Sequence, residues 1–244
     1  MDLTLRAEGQ GAAEEDDCLL RVSLAQIPRG GVLALEGFDV GVRERLRNRC
    51  EQLGYRVIGD PRSSDGGVLT VGKGGSRNGG MAPAVGGGAP PANVGSTGYS
   101  WSVRAHSSDG RVTRMHAGKH TLSAGPAVSF RPDEPLPSAV EHLLAALAAD
   151  LVSSFASSLS EHRVEFDALE CRLSGQLEDP LASIGVVGAS GSPALSAIAG
   201  TVYLSAEAEQ PLLRRAWCAA IARSPLFNTL APCLALRIQM RAQL

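Results

Sequence analysis

At 244 residues with 44% hydrophobic side chains, the chain is long enough to bury a real core, and its length suits two modest domains better than one. Its 23 basic residues against 25 acidic ones, a net charge of −2, leave no electrostatic footprint for a nucleic acid or an anionic membrane. Neither is expected as a partner.

A short strand is predicted over Leu3–Arg6, followed by a helix in "EEDDCLLRVSLAQI". Leu20, Leu24 and Ile27 share one stripe of that helix, and four acids crowd its N-terminal end, where they complement the macrodipole. Pro28 and Gly30 stop it, and "GGVLALEG" reads as a strand. "DVGVRERLRNRCEQLG" is a second amphipathic helix with Val42, Leu46 and Leu53 inward and Gly54 as its left-handed cap. "YRVIG" and "GVLTVG" add two strands, so residues 1–71 are predicted to form a βαβαββ two-layer α/β sandwich.

From Gly72 to Gly98 the chain is glycine, proline and small residues, too poor in apolar bulk to offset the entropy of ordering, and it reads as a flexible linker. "GKGGSRNGG" within it lacks the order of a phosphate loop. Beyond the linker, "YSWSVRAHSSDGRVTRMHAGKHTLSAG" alternates in short runs broken by Asp109-Gly110 and Gly118, the signature of antiparallel hairpins. A proline-punctuated loop leads to a long helix opening at Ser138, which forms a capping box with Glu141. "VEFDALECRLSGQLE" and "ALSAIAGTVYLSAE" are strands flanking a Gly/Ser-rich turn, "AEQPLLRRAWCAAIAR" is a last helix, and the end of "SPLFNTLAPCLALRIQM" is a final strand. Residues 99–244 are thus expected to form one α+β domain.

The long helix carries "LLAALAADLVSSF", which reads as a helix built to be buried, with Asp150 in its middle. An unpaired buried carboxylate costs several kcal/mol or protonates, so Asp150 requires either water or a partner.

Five cysteines, Cys18, Cys50, Cys171, Cys218 and Cys233, are scattered and odd in number, with no C-x-x-C pair. This argues against a disulfide framework or a zinc site and for a reducing cytoplasm, with no metal or other cofactor implied. "MDLTLRAEGQ" lacks the basic start and apolar core of a signal peptide, and no run approaches the ~20 apolar residues of a membrane span. His116 and His120 stand four apart, but Gly118 and the strand pattern argue against a shared metal. His142 and His162 read as solvated polar residues and "LRRAW" as the wet face of a helix. "GVVGASGSP" falls short of a nucleophile elbow at Ser192.

The βαβαββ order, with "IPRGGVLALEG" and "CEQLGYRVIG", resembles the TusA/SirA family of small sulfur-carrier domains over Met1 to Val71. That family relays sulfur as a persulfide on a cysteine followed by proline at the start of its first helix. Here the position falls near Ala12 or Ala13, and the nearest thiol, Cys18, precedes Leu19 inside the helix, so the resemblance implies the fold more than the activity.

From Tyr99 to Met240 the order of elements, with the words "PSAVEHLLAALAAD" and "ARSPLFNTL", resembles the OsmC/Ohr family. The resemblance implies a central helix crossing a sheet inside an intertwined homodimer. It places Asp150 where the family carries its reactive cysteine and Ser224 where it carries the second. In gapless register the family's proline falls on Ala139 and its glutamate on Val140, and its arginine has no counterpart in "AHSSDGRV", where Arg104 and Arg111 are nearest. Arg104, Arg131 and Glu141 remain as pocket candidates, and in the thiol pocket that the resemblance implies, Asp150 is expected to accept a hydrogen bond from Ser224 or to pair with Arg104 or Arg131.

Reduction of a hydroperoxide needs a thiolate and a second thiol to resolve the sulfenic acid, and aspartate and serine supply neither. The expectation is therefore a protein associated with peroxide stress, redox or sulfur metabolism that binds or regulates, with a sulfur-relay or redox protein as its partner, and not a peroxidase. The alternatives are a thiol-dependent peroxidase or sulfur-transfer enzyme using Cys18, Cys218 or Cys233, and a dimer holding a small apolar ligand.

Overall fold

The computed structural model describes residues 3–6, 13–59, 68–74, 99–126 and 133–243. The expected linker lies outside these from residue 75 onward, as does Arg131.

The chain opens with β1 (Leu3–Arg6), α1 (Ala13–Gln26), β2 (Val32–Glu36), α2 (Val40–Gln52), β3 (Arg56–Gly59) and β4 (Leu69–Gly72), the expected βαβαββ order. The sheet runs β1-β2-β4-β3, with β1 and β2 parallel and the other two pairings antiparallel. Alternation along β2 and β4 sends Leu33, Leu35, Leu69 and Val71 into a core with Leu20, Leu24, Ile27, Leu46, Cys50 and Tyr55. Asp39 caps α2 by accepting from the Val42 amide, and Gly54 leaves it at φ +79°. Val42 and Leu53 are only partly buried; Cys50, not singled out in the sequence, is in the core.

Next come β5 (Val103–His106), β6 (Thr113–Ala117) and β7 (His120–Ala124), an antiparallel three-stranded meander. Asp109 Oδ1 accepts from the Arg111 and Val112 amides and Gly110 takes φ +71°, which turns the first hairpin. Gly118 at φ +60° turns the second.

The last stretch holds α3 (Ala139–Glu161), β8 (Ala168–Leu177), α4 (Pro180–Ser183), β9 (Leu195–Ser205), α5 (Gln210–Arg223), α6 (Pro225–Leu230) and β10 (Ala235–Gln243). β8 and β9 pair antiparallel, while β9 and β10 pair parallel, so α5 and α6 make the crossover that a parallel pair needs. The core beneath is Leu147, Leu151, Phe155 and Leu159 of α3 against Ile198 and Val202 of β9 and Leu213, Trp217 and Ile221 of α5. The Phe155 and Trp217 rings meet edge to face at 5.2 Å.

α3 does not have the all-round burial its composition suggested. It buries one stripe, Leu147, Leu151, Phe155, Ser158 and Leu159, and exposes Ala145, Ala146, Ala149, Ser153 and Ser157. It is also, by length and composition, apolar enough to cross a membrane. This corrects the expectation that no run approaches that length: Asp150 and five serines interrupt the apolar residues of the helix without making it polar overall.

Two compact units emerge, and their bounds cut across the expected 1–71, 72–98 and 99–244. Met1–Gly75 belongs with Leu143–Leu244, and Ser76–His142 is the other. The physical reason lies in α1, which is apolar on two faces. Leu20, Leu24 and Ile27 enter the first core, while Val22 and Ala25, on the opposite side, join the core of α3, β9 and α5. α1 accordingly packs against α5 and β10.

Two fastenings hold that contact. Cys18 of α1 is disulfide-bonded to Cys218 of α5, with Cα atoms 5.4 Å apart and 200 residues between them in sequence. This corrects the expectation of no disulfide: a single long-range bridge has no spacing signature, and an odd cysteine count does not exclude it. It also removes the ground on which cysteine usage pointed to a reducing compartment.

The second is Lys73, expected in the flexible linker and in fact buried to 1% exposure. Its Nζ donates to the carbonyls of Leu24 (3.3 Å), Ala25 (3.2 Å) and Ile27 (2.8 Å) at the end of α1 and to that of Leu234 (2.8 Å) before β10. The first three are carbonyls at or just past the end of α1, which the helix leaves without intrahelical donors. Gly72 pairs with Val32, and Lys73 exchanges backbone hydrogen bonds with Gly30 and Gly31, so the ordered chain runs past the composition boundary.

Candidate functional site around Asp150 and Ser224

Ser224 ends α5 and begins α6. Its amide donates to the Ala220 carbonyl at 3.0 Å, closing the first helix, and its Oγ accepts from the Phe227 amide at 3.0 Å, opening the second. Pro225 takes the first position of α6, where an N–H would have no partner. Asn228 secures the corner by donating from Nδ2 to the carbonyls of Ile221 (2.8 Å) and Ser224 (2.7 Å), and its Oδ1 accepts from Arg21 of α1 at 2.9 Å.

Asp150 meets this corner from α3. Ser224 Oγ, in a fully buried residue, donates to Asp150 Oδ2 at 2.5 Å, and the Leu226 amide donates to the same oxygen at 3.0 Å. Ser154 Oγ lies 3.5 Å from Oδ1, one turn further along α3. The half-buried carboxylate thus receives a hydroxyl and a backbone N–H at the start of α6, where negative charge is favoured. Among the described residues its side-chain partners are Ser224 and Ser154; Arg131 lies outside them.

The chemistry available here is narrow. The hydroxyl proton of Ser224 points to the carboxylate and an Oγ lone pair is taken by Phe227, with no imidazole between them to activate a nucleophile. Neither side chain can form a sulfenic acid or a persulfide.

The other candidates lie elsewhere. Arg104 is exposed on β5 opposite His116, in the other compact unit. Glu141, in that same unit, is taken up by its capping box, accepting from the Ser138 amide at 2.7 Å while its own amide donates to Ser138 Oγ. The Ser138 amide and hydroxyl hold the Glu141 carboxyl below its usual range. His116 sits on β6 and His120 opens β7 across the Gly118 turn, His142 bonds the Ser123 carbonyl, and His162 that of Ser158. Among the described residues no group of three or more His, Cys, Asp or Glu is placed to hold a metal. Gly185–Pro193 forms part of the turn between α4 and β9, with Val187 fully exposed, and makes no strand-to-helix elbow.

Of the thiols, Cys18 and Cys218 are bridged, which corrects their expected place among free cysteines, and Cys233 is exposed. Burial pushes the Cys50 thiol up to about 12 and the Cys171 thiol up to about 11, so both stay protonated at neutral pH. Sequence reasoning overlooked α6 and Asn228. The Ser224-Pro225 pair, a cap followed by proline at the first helical position, was the readable signal for α6.

No protein-family model and no curated protein matches the sequence. The fold is similar to solved structures of OsmC and Ohr proteins. An OsmC-like protein from Mycoplasma pneumoniae shares 14% identity over 59% of this chain and 96% of its own, with a TM-score of 0.49. OhrB of Bacillus subtilis, an organic hydroperoxide resistance protein, shares 12% over 59% and 98%, with a TM-score of 0.42. The organic hydroperoxide resistance protein OsmC from Legionella pneumophila shares 11% over 60% and 98%, also at 0.42. The likeness is one of chain course over about 59% of this protein.

Proposed function

We propose that the protein is an OsmC-like protein of redox or stress metabolism that binds or regulates, without hydroperoxide reduction at the Asp150–Ser224 position. The observation that carries this reading is the triple contact of Asp150 Oδ2, Ser224 Oγ and the Leu226 amide. Both residues that stand at the family's thiol positions serve to begin a helix. The βαβαββ layer, TusA-like in order and lacking a thiol at its expected place, supports a binding role beside a sulfur-relay or redox partner.

A homodimer is part of the reading. The alanine and serine face of α3 left exposed in the single chain is what a partner copy would cover. Light scattering of the full chain is expected to give twice the chain mass, and a monomer at micromolar concentration would remove the dimer from the proposal. A cytoplasmic location also belongs to it. Disulfides there are mostly transient, catalytic or redox-sensing, so this location goes with a Cys18–Cys218 bridge that opens and closes.

The test is consumption of an organic hydroperoxide by the full chain with a dithiol reductant. No turnover above that of the reductant alone is expected. A second reading, thiol chemistry at displaced cysteines, is favoured by the Cys18–Cys218 bridge. Turnover abolished by Cys18→Ser, Cys218→Ser or Cys233→Ser would replace the first reading with the second.

A further inference from the structure

A cavity of about 400 Å³ opens over the Cys18–Cys218 bridge, lined by both cysteines together with Arg21, His162, Arg215 and Arg223. Neither Asp150 nor Ser224 lines it, so what it does stands or falls separately. We propose that the bridge and this cation-lined cavity form a thiol–disulfide exchange site for a small carboxylate-bearing thiol.

Access selects the sulfur that is attacked. Cys18 is 6% exposed, whereas Cys218 is half-buried, so an incoming thiolate reaches Cys218 Sγ and expels Cys18. Arg21, one helical turn beyond Cys18 on α1, favours the departing charge there, and a better-stabilised thiolate leaves faster. Charge selects the ligand. Arg21 is balanced by Asp17 at 2.9 Å, and Arg223 is held by both oxygens of Glu161, but Arg215 has no ion-pair partner among the described residues. The wall of the cavity therefore carries an excess of guanidinium suited to a carboxylate. His162 supplies the base. A carbonyl only accepts, so its Nδ1 donates to Ser158 at 2.8 Å, and the neutral ring keeps its lone pair on Nε2.

The exchange balances as follows. His162 Nε2 takes the proton of the first thiol, whose thiolate bonds to Cys218 Sγ as the S–S electron pair departs on Cys18. The imidazolium returns the proton to Cys18. A second thiol molecule, deprotonated in the same way, attacks the sulfur of the first in the mixed disulfide. Cys218 leaves as a thiolate and is protonated, and the two small thiols depart as their own disulfide. Two thiols are oxidised, the bridge is reduced by two electrons, and the reverse reaction with the small disulfide closes it again.

The test uses the oxidised full chain and three probes compared at equal thiolate concentration: glutathione (anionic), 2-mercaptoethanol (neutral) and cysteamine (cationic). Release of Cys18 and Cys218 is followed by alkylation and peptide mass. Glutathione is expected to open the bridge about tenfold faster than cysteamine at low salt, within the range of electrostatic steering, with the transient adduct on Cys218. The advantage should shrink in high salt and in Arg215→Ala. Rates indifferent to thiol charge, an adduct on Cys18, or a bridge that opens only at the denaturant midpoint would each overturn the proposal. Should Arg215→Ala fail to fold, the three-thiol series on the natural chain at two salt concentrations decides alone.

Discussion

Asp150 shows how a carboxylate is tolerated in the middle of an apolar helix: it acts at the end of another one. The hydroxyl and amide that reach it belong to the first turn of α6, so the cost of partial burial is offset by bonds that a six-residue helix needs in order to begin. Ser224→Ala removes both the cap to Phe227 and the donor to Asp150, and is expected to lower unfolding free energy by about 2 kcal/mol. Asp150→Asn keeps an oxygen for the Leu226 amide and should cost about half as much. Urea midpoints with an unchanged slope are the measurement, and a neutral Ser224→Ala would sink the capping account. The pairing of these two residues was legible in the sequence because both stand in recognisable words. Their role was not, because α6 was read through as part of the approach to the final strand.

At the scale of elements, α1 and the residue that fastens it matter most. The stripe Leu20, Leu24 and Ile27 was readable; the weaker one, Cys18, Val22 and Ala25, acquires meaning only once α5 and β10 are known to lie against it. Asp17, on the same helix, shows the charge side of this packing: burial alone would raise its carboxyl, but Arg49 at 2.6 Å and Arg21 at 2.9 Å outweigh that and hold it below its usual range. Lys73 was hidden by its glycine neighbours.

Burial pulls the Lys73 ammonium down from 10.5 to about 8, while four carbonyls keep it protonated and donating at neutral pH. Above pH 8 the unfolded chain retains a proton that the folded chain has released, so stability rises with pH. Cys50 and Cys171, pushed up by burial from 9.0 to about 12 and about 11, act in the opposite sense from pH 9 upward. They hold protons that the unfolded chain sheds. Tyr55, pushed up to about 12 by burial, adds to the fall above its ordinary 10.0. Between pH 8 and 9 Lys73 alone would add about 1 kcal/mol, of which the two thiols, already titrating in the unfolded chain, offset about 0.7, so unfolding free energy is expected to stay nearly level there and then decline. Lys73→Met should turn that level stretch into a fall of about 0.7 kcal/mol; a variant whose stability stays level from pH 8 to 9 would refute this assignment.

For the whole molecule, composition and periodicity were sufficient for an α+β chain with a βαβαββ start, because those rest on local pattern. They were insufficient for the grouping of the first 75 residues with residues 143–244, which depends on surfaces far apart in sequence. A fragment of residues 99–244 would uncover the α5 and β10 faces and leave the Leu234 carbonyl without Lys73. It is expected to melt at lower temperature and to associate, as followed by circular dichroism and light scattering. A fragment that melts as high and as sharply as the full chain would show that the first layer contributes nothing to the second.

The bond between α1 and α5 also changes what a cut in the backbone means. Everything from Cys18 to Cys218 lies inside one covalent ring, including the glycine-rich stretch and the whole meander. A protease that nicks the ring once leaves two peptides that travel as one until the sulfurs part. Severing the chain and releasing its pieces are therefore separate events, and the second is governed by the supply of thiol.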